Sequence, residues 1–372
     1  MIFSDPAFLA LLGACWICFA VVPRQHRTLT LAAFGAVFYA IYAGAFAIAA
    51  VLAAIAAATA RHRWQYWVVG SAIVATLIYF KQPGVIVPLG VSYLAFELLH
   101  VAIDRRRERI GRVRIVDMLA YALFMPCRMA GPIRRYPQFM TAVEAAQPSM
   151  DHLYAGTLRV LIGFAKKLII ADTLALTETE LTYVATATHA WTITVVYAVR
   201  IYVDFSAYSD IAIGFAQMLG IVVPENFSYP YFATSIRDFW VRWHITLSEW
   251  VRDYSFVPLS RTLFGTALRP WPSVIAAISY LVTFVLVGAW HGLTAGFLVW
   301  GAYHGVLLGL HHVWRAKAPA ALTRHPWYHS RAAAAVSIAL TFVCVCVGWV
   351  PFMTDLPTAR KLLALMLMGG SQ

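Results

Sequence analysis

Between Arg237 and Tyr254 the chain reads RDFWVRWHITLSEWVRDY, with three arginines, three acids, three tryptophans and a single histidine, His244. The chain as a whole is 61% hydrophobic and 12% charged, so charge and indole this dense are costly and imply a use. An imidazole titrates near neutral pH and suits the task of taking a proton from a reacting hydroxyl. The spacing predicts a helix over 237–254. On that helix Asp238 and Arg242 stand four apart and can pair. Trp240, His244, Ser248 and, less closely, Arg252 share one face. Two readings stand. The helix could lie in the membrane interface, with Trp and Arg as anchors and His244 incidental. It could instead line a groove made of protein and water. Arginines and acids on opposite sides leave no clean apolar face, which weighs toward the groove.

A second histidine, His291, lies in GAWHGLTAGFLVWGAYHG (288–305), where two apolar runs meet, flanked by Gly288, Gly292 and Gly296. Glycines there let backbones approach closely or let a helix break. An ionisable residue in such a place is a functional candidate by default. The plainer reading is a histidine hydrogen-bonded to a neighbouring helix. His304, His311 and His312 follow. No carboxylate or thiolate accompanies them at ligand spacing, so no metal site is expected and they are placed toward the helix end, near the interface. A third patch, YVDFSAYSD (202–210), sets Asp204 and Asp210 around Ser206, Tyr208 and Ser209. A serine nucleophile is conceivable, but no G-x-S-x-G elbow occurs. Pairing of these acids with the arginines of 237–252 is the expectation.

The elements that must position these groups follow from composition. In 372 residues the chain carries half the usual share of charge and has apolar runs long enough to cross a bilayer. Backbone groups in lipid must satisfy one another, which leaves helices or a closed barrel, and the runs are continuous rather than alternating. The predicted fold is all-α: a polytopic membrane protein of about nine to eleven membrane-embedded helices, some short or re-entrant. It is expected to form one domain, 1–372. Residues 29–60 are too long for one span of about 20 residues, and Gly35 and Gly44 mark a break or a tight hairpin. Basic clusters fall at Arg24/Arg27, Arg61/Arg63, Arg105–Arg114 and Arg315–Arg331. The strongest, DRRRERIGRVR (104–114), is expected on the cytoplasmic side. Irregular stretches such as VPLGVSY (87–93), MPCRMAGPIRRYPQF (125–139) and PENFSYPYF (224–232) are tolerated at membrane depth only where protein buries them or water reaches them, so they predict a polar cavity. Asp5, with no basic residue before the first apolar run, argues against a signal peptide and for a retained helix over 7–22. The net charge of +12 sits in short loops suited to anionic headgroups, and no motif supports nucleic acid. Cys15, Cys18, Cys127, Cys344 and Cys346 imply no disulfide framework; most lie inside apolar runs as packing residues.

There is no Gly-Lys dipeptide and hence no P-loop. No histidine is followed five positions later by aspartate; His244 has Glu249 there. What the chain does carry, in order, is MIFSDPAFL at its start, VPLGVSYLAFELLHVAID (87–104), AGPIRRYPQF (130–139), DFSAYSDIAIGFAQMLGI (204–221), PENFSYPY (224–231), SIRDFWVRWHITLSEWVRDYSFVPL (235–259), GAWHGLTAGFLVWGAYHG and GWVPF (348–352). In these stretches it resembles the membrane-bound O-acyltransferase (MBOAT) family, in its bacterial alginate O-acetyltransferase-like subgroup. The compact D-alanyl teichoic-acid transferase-like subgroup is the second resemblance. The specific part is RWH-x-x-LS-x-W together with WHG.

The resemblance implies a helix bundle around a funnel or tunnel in the cytoplasmic (inner) membrane. An acyl thioester, acetyl-CoA or an acyl carrier protein, enters from the cytoplasm as co-substrate, with no bound cofactor. A hydroxyl of a cell-envelope or exported polysaccharide receives the acyl group, acetyl first, through an extracytoplasmic acyltransferase partner. The WHG histidine, His291, is implied as the essential residue and the RWH histidine, His244, as its second. A hydroxyl attacks a thioester poorly until a base takes its proton, so His291 is expected as general base and His244 as orienting or oxyanion-stabilising partner. Direct transfer is favoured over an acyl-enzyme. Arg237, Asp238, Trp240, Trp243, Ser248, Arg252, Asp253, Trp290, Asp204 and Asn226 are expected as the tunnel wall and its support. D-alanyl or other acyl transfer to teichoic-acid-like polymers is the alternative. A transporter or channel for an acyl group or small polar solute is the reading from another class; it explains a polar cavity but not two histidines in Trp-rich settings. PLSRTLFG (258–265) departs from the Gly-Gly-rich continuation of the subgroup. The chain stops soon after GWVPF, so the closing hydrophobic segments of the long members are expected to be missing.

Overall fold

The computed structural model describes residues 2–82, 84–176, 180–181, 183–319 and 325–368. Every regular element among them is helical, as continuous apolar runs demand. They divide into two compact units, Met1–Ile169 with Phe205–Glu225 and Ile170–Asp204 with Asn226–Gln372. Two helices, Pro272–His291 and Arg331–Met353, are long and apolar enough to cross a membrane; Pro6–Val21 and Phe46–Thr59 are apolar but shorter.

The first unit contains α1 (Pro6–Val21), α2 (Arg27–Tyr42), α3 (Phe46–Thr59), α4 (Arg63–Phe80), α5 (Val91–Arg106), α6 (Ile115–Ala122), α7 (Tyr136–Ala145) and α8 (Met150–Ala165), plus the second half of α9 (Ala187–Met218). Asp5 caps α1, accepting from Ala7 N (2.9 Å), and also accepts from the Tyr42 hydroxyl (2.7 Å). These bonds, Tyr42's first, hold its carboxyl below the usual carboxylate range. The long apolar run 29–60 is a hairpin, and its turn is at Gly44, which has φ +55°. Gly35 is not a break. It lies inside α2, where the Leu123 backbone packs so closely that a Cβ would collide with it. α6 ends at Ala122, and a short 3-10 turn, Met125–Cys127, follows. On α8 and α9, Gly156 and Gly214 face each other; a Cβ on Gly214 would come within 2.7 Å of the Gly156 carbonyl.

At the centre of this unit Glu97 of α5 is fully buried and receives two guanidinium groups. Arg128 donates to one carboxylate oxygen and Arg134 to the other, the latter at 3.0 Å through Nε. Arg134 also donates to the Tyr121 carbonyl (2.8 Å), while the Tyr121 hydroxyl donates back to the Arg134 carbonyl (2.6 Å). One turn along α5, His100 Nε2 accepts from Tyr136 N (2.9 Å) and Nδ1 faces Asp104 (3.1 Å). The irregular stretch 125–139 is therefore held to α5 by charge and hydrogen bonds rather than by regular structure. Replacing Glu97 with Gln strands two buried guanidinium charges. Thermal unfolding in detergent should show a loss of about 3–5 kcal/mol; an unchanged melting midpoint would mean that another group neutralises the arginines.

The second unit holds the first half of α9, α10 (Ile236–Arg242), α11 (Ile245–Val251), α12 (Val257–Phe264), α13 (Pro272–His291), α14 (Ala295–Lys317), α15 (Arg331–Met353) and α16 (Leu356–Met368). A π-helical turn, Arg252–Phe256, joins α11 to α12. α13 and α14 pack along their length because Gly301, Gly305 and Gly309 recur every four residues and present backbone to α13. A Cβ on Gly305 would sit 2.7 Å from the Leu281 Cα. This close pairing sets the end of α13, and so His291, against the body of α14.

Candidate active site

The helix expected over 237–254 is broken at the histidine. α10 stops at Arg242, Trp243 is extended, and His244 takes left-handed backbone angles (φ 41°, ψ 54°) before α11 begins. The single face of Trp240, His244, Ser248 and Arg252 therefore does not exist. The cause lies outside the segment. The backbone of the PENFS stretch runs beside the break: Ile245 N donates to the Asn226 carbonyl (3.0 Å) and Ser228 N donates to the Arg242 carbonyl (3.0 Å). Ser248 closes the bend from the other side, its N donating to the His244 carbonyl (3.0 Å) and its Oγ to the Trp243 carbonyl (3.2 Å). Left-handed geometry costs a residue with a Cβ about 1–2 kcal/mol, so these bonds are what keep His244 there.

Asn226, fully buried, also sets the chemistry of the ring. Its Oδ1 accepts from Thr246 N (3.3 Å) and from the Thr246 hydroxyl (2.8 Å), and lies 3.1 Å from His244 Nδ1. A backbone N–H can only donate, so the amide atom facing it is the oxygen, and His244 Nδ1 must carry the proton. In the neutral ring the lone pair is then on Nε2.

His291 is the last residue of α13 and is partly buried. Four aromatic rings surround it: Trp290 at 4.5 Å between centroids, Phe352 at 4.9 Å, Trp300 at 5.3 Å and Phe297 at 5.9 Å. The glycines around it serve this packing. A Cβ on Gly292 would fall 2.8 Å from the Phe297 ring, and one on Gly288 would strike the Phe297 carbonyl. Trp290 stands beside both histidines, 6.5 Å from the His244 ring. A cavity of about 380 Å³ is lined by Phe297 and Phe352, two of the rings on His291, and by Thr354 and Asp355. Asp355 caps α16, and hydrogen bonds from Thr358 hold its carboxyl below the usual range.

One residue of this cluster was expected elsewhere. His304 is completely buried in the ring cluster rather than near an interface. Its Nδ1 accepts from Trp240 Nε1 (3.3 Å), and its ring packs on Trp240 and Trp300, each at 5.2 Å. Gly348 leaves the room, since a Cβ there would lie 2.7 Å from His304 Nε2. The usable signal was the four-residue step from Trp300 to His304, which puts both on one helix face. His311 and His312 are partly exposed near the end of α14.

The remaining expected residues divide. Trp240 and Trp243 belong to the cluster; Trp243 packs on Phe239 (5.6 Å) and Trp349 (5.1 Å). Asp238 pairs with Arg242 (2.8 Å) and accepts from Thr234 N (3.0 Å), stabilising α10. Arg237 is exposed, as is Arg252, which pairs with the half-buried Asp253 (2.9 Å). Asp204 is half-buried in α9. Asp210 pairs with Arg159 (3.0 Å) and Lys166 (2.6 Å) of α8 and the turn after it, not with the arginines of 237–252. Among the described residues no group of His, Cys, Asp or Glu could hold a metal ion.

An all-helical chain with apolar spans and two Trp-flanked histidines, one with its tautomer fixed, is suited to proton transfer away from bulk water. The comparisons agree with that class. The model of the membrane-bound O-acyltransferase family matches residues 18–349, and the chain belongs to this family. Over 274 residues it is 33% identical to the probable alginate O-acetylase AlgI of Pseudomonas syringae pv. tomato, covering 73% of this chain and 50% of that protein. It is 31% identical to the corresponding protein of Pseudomonas fluorescens, covering 95% of this chain and 73% of that one. Identity to the teichoic acid D-alanyltransferase of Bacillus subtilis is 31%, over 71% of this chain and 68% of the relative. The chain thus spans half the length of the first of these relatives.

Two outcomes follow from the break. Asn226→Ala leaves buried donors without their acceptor and should reduce stability by about 1–3 kcal/mol in thermal unfolding; a wild-type midpoint would show that the break holds itself. His244→Gly and His244→Ala both remove the ring, but only glycine is at ease with positive φ. The Gly variant should therefore be the more stable by about 1 kcal/mol, and equal midpoints would mean that the backbone relaxes out of the left-handed region.

Proposed function

We propose that this chain is a membrane-embedded O-acyltransferase that moves an acyl group, acetyl first, from a cytoplasmic thioester toward a hydroxyl of a cell-envelope or exported polysaccharide. The observation that carries this reading is His291 at the end of α13 inside a shell of four rings, with Trp290 linking it to a His244 whose tautomer Asn226 sets. The membrane would be the inner membrane, crossed by several helices of the chain. Acetyl-CoA or an acyl carrier protein would supply the thioester, and an extracytoplasmic partner would complete delivery to the polymer.

In the proposed reaction His291 takes the hydroxyl proton as the oxygen bonds to the thioester carbonyl carbon. The carbonyl oxygen gains charge, the tetrahedral intermediate collapses, the carbon–sulfur bond breaks, and the thiolate leaves and takes a proton. His244 orients the reacting groups or offers a hydrogen bond to the developing oxyanion. The ring shell keeps water from intercepting the acyl group. The likeness to a teichoic acid D-alanyltransferase supports a second reading, with D-alanyl as the acyl group and a teichoic-acid-like polymer as acceptor.

The test is ester content of the envelope polymer in cells carrying His291→Ala at wild-type protein abundance. A loss of about 10²–10⁴-fold in transfer rate is expected for a general base, and unchanged ester would end the assignment. His244→Ala should give a smaller but clear defect; a wild-type rate would remove it from the site.

A further inference from the structure

The first unit carries a groove, about 580 Å³, between α4 and α5, lined by Trp67, Gly70 and Ile78 on one side and by Leu99, Ala102 and Arg106 on the other. Its body is apolar and outward-facing: Trp67 is 62% and Ile78 51% exposed. Gly70 and Ala102 keep it open. A Cβ on Gly70 would still be 3.9 Å from its nearest neighbour, Leu99, so the space is real and unfilled by side chains. From Tyr66 to Ile78 the helix rises about 18 Å, roughly the length of one extended acyl chain.

One end of the groove is cationic. The Arg106 guanidinium lies 4.5 Å from the Trp67 ring centre, and Arg107 lines the same end. Three other arginines of the run, Arg105, Arg109 and Arg114, are committed to the protein. Arg105 donates to the carbonyls of Ala57 and Ala58, at 2.8 and 2.5 Å, closing the end of α3. Arg109 reaches Asp104 (3.5 Å) and Arg114 pairs with Asp117 (2.7 Å). Among the described residues Arg106 and Arg107, both half-buried, make no ion pair. A neighbouring groove on the α3 side of α4 has no charged residue in its lining, so of these two it is the α4–α5 groove that joins an apolar trough to two cations.

We propose that the α4–α5 groove binds one anionic phospholipid, an acyl chain lying along Gly70 and Ala102 and the phosphate set between Arg106 and Arg107. Arg binds phosphate through paired N–H donors, and an exposed indole such as Trp67 suits the headgroup region of a bilayer. The apolar trough selects a lipid over an acidic protein, which would have no chain to place in it. The inference rests on the chain lying in a bilayer and is independent of the acyl-transfer reading.

The experiment is native mass spectrometry of the full chain in neutral detergent, titrated with phosphatidylglycerol, phosphatidylcholine or glycerol phosphate. The wild type should hold one phosphatidylglycerol in preference to phosphatidylcholine. Arg106→Ala with Arg107→Ala should weaken phosphatidylglycerol about thirtyfold and abolish the preference. Arg112→Ala, an exposed cation of the same run outside the groove, should change nothing. Gly70→Leu fills the trough and leaves both arginines in place, so it should also displace the lipid and decides the matter if the double variant does not fold. Three results would overturn the site: equal binding of the two lipids, an Arg112 variant as weak as the double variant, or glycerol phosphate binding as tightly as the lipid.

Discussion

The site depends on one buried amide. A chain that turns inside an apolar environment must find partners for every backbone group at the turn, because water is not there to supply them. At His244 the helix gives up its own ladder, and Asn226 replaces it, the backbone carbonyl taking Ile245 N and Oδ1 taking Thr246. The same oxygen faces the imidazole, so the turn and the tautomer are settled together. Were the segment a plain helix, His244 would lie on a continuous face with Trp240 and Ser248, and nothing would distinguish its two nitrogens.

Glycine does for His291 what Asn226 does for His244. The stripe Gly301, Gly305 and Gly309 lets α13 lie directly on the α14 backbone, and Gly288 and Gly292 bring Phe297 against the end of α13. The histidine is thereby delivered into aromatic rings without a loop long enough to wander. Such rings exclude water and lower the local dielectric, so a hydrogen bond made inside them is worth more than the same bond in solvent.

The helical class and the hairpin turning at Gly44 were legible because they are local: hydrophobic runs and a residue that tolerates positive φ. The two histidine motifs stood out for the same reason, as charge and indole against an apolar background. What was not legible is what depends on distant partners. Residues 237–254 carry helical spacing throughout, and the break comes from Asn226, eighteen positions before His244. His304 looked like a helix-end residue because its partner, the Trp240 indole, is sixty-four positions away. Asp210 invited pairing with a nearby run of arginines, yet Arg159 on α8 and Lys166 in the turn after it, about two helical turns further on, reach it first. Charge complementarity says that a buried acid will be paired; only packing says with which cation.

Three histidines gather in the second unit, and hydrogen bonding separates their capacities. A base needs a lone pair that no donor occupies. The lone pair of His304 is on Nδ1 and is already occupied by the Trp240 N–H, while its other nitrogen faces the backbone at Gly348. That ring is committed to holding Trp240. His244 is set the opposite way: Asn226 takes the Nδ1 proton and places the lone pair on Nε2. A donor on one histidine and an acceptor amide on the other thus put the proton on opposite nitrogens of identical side chains.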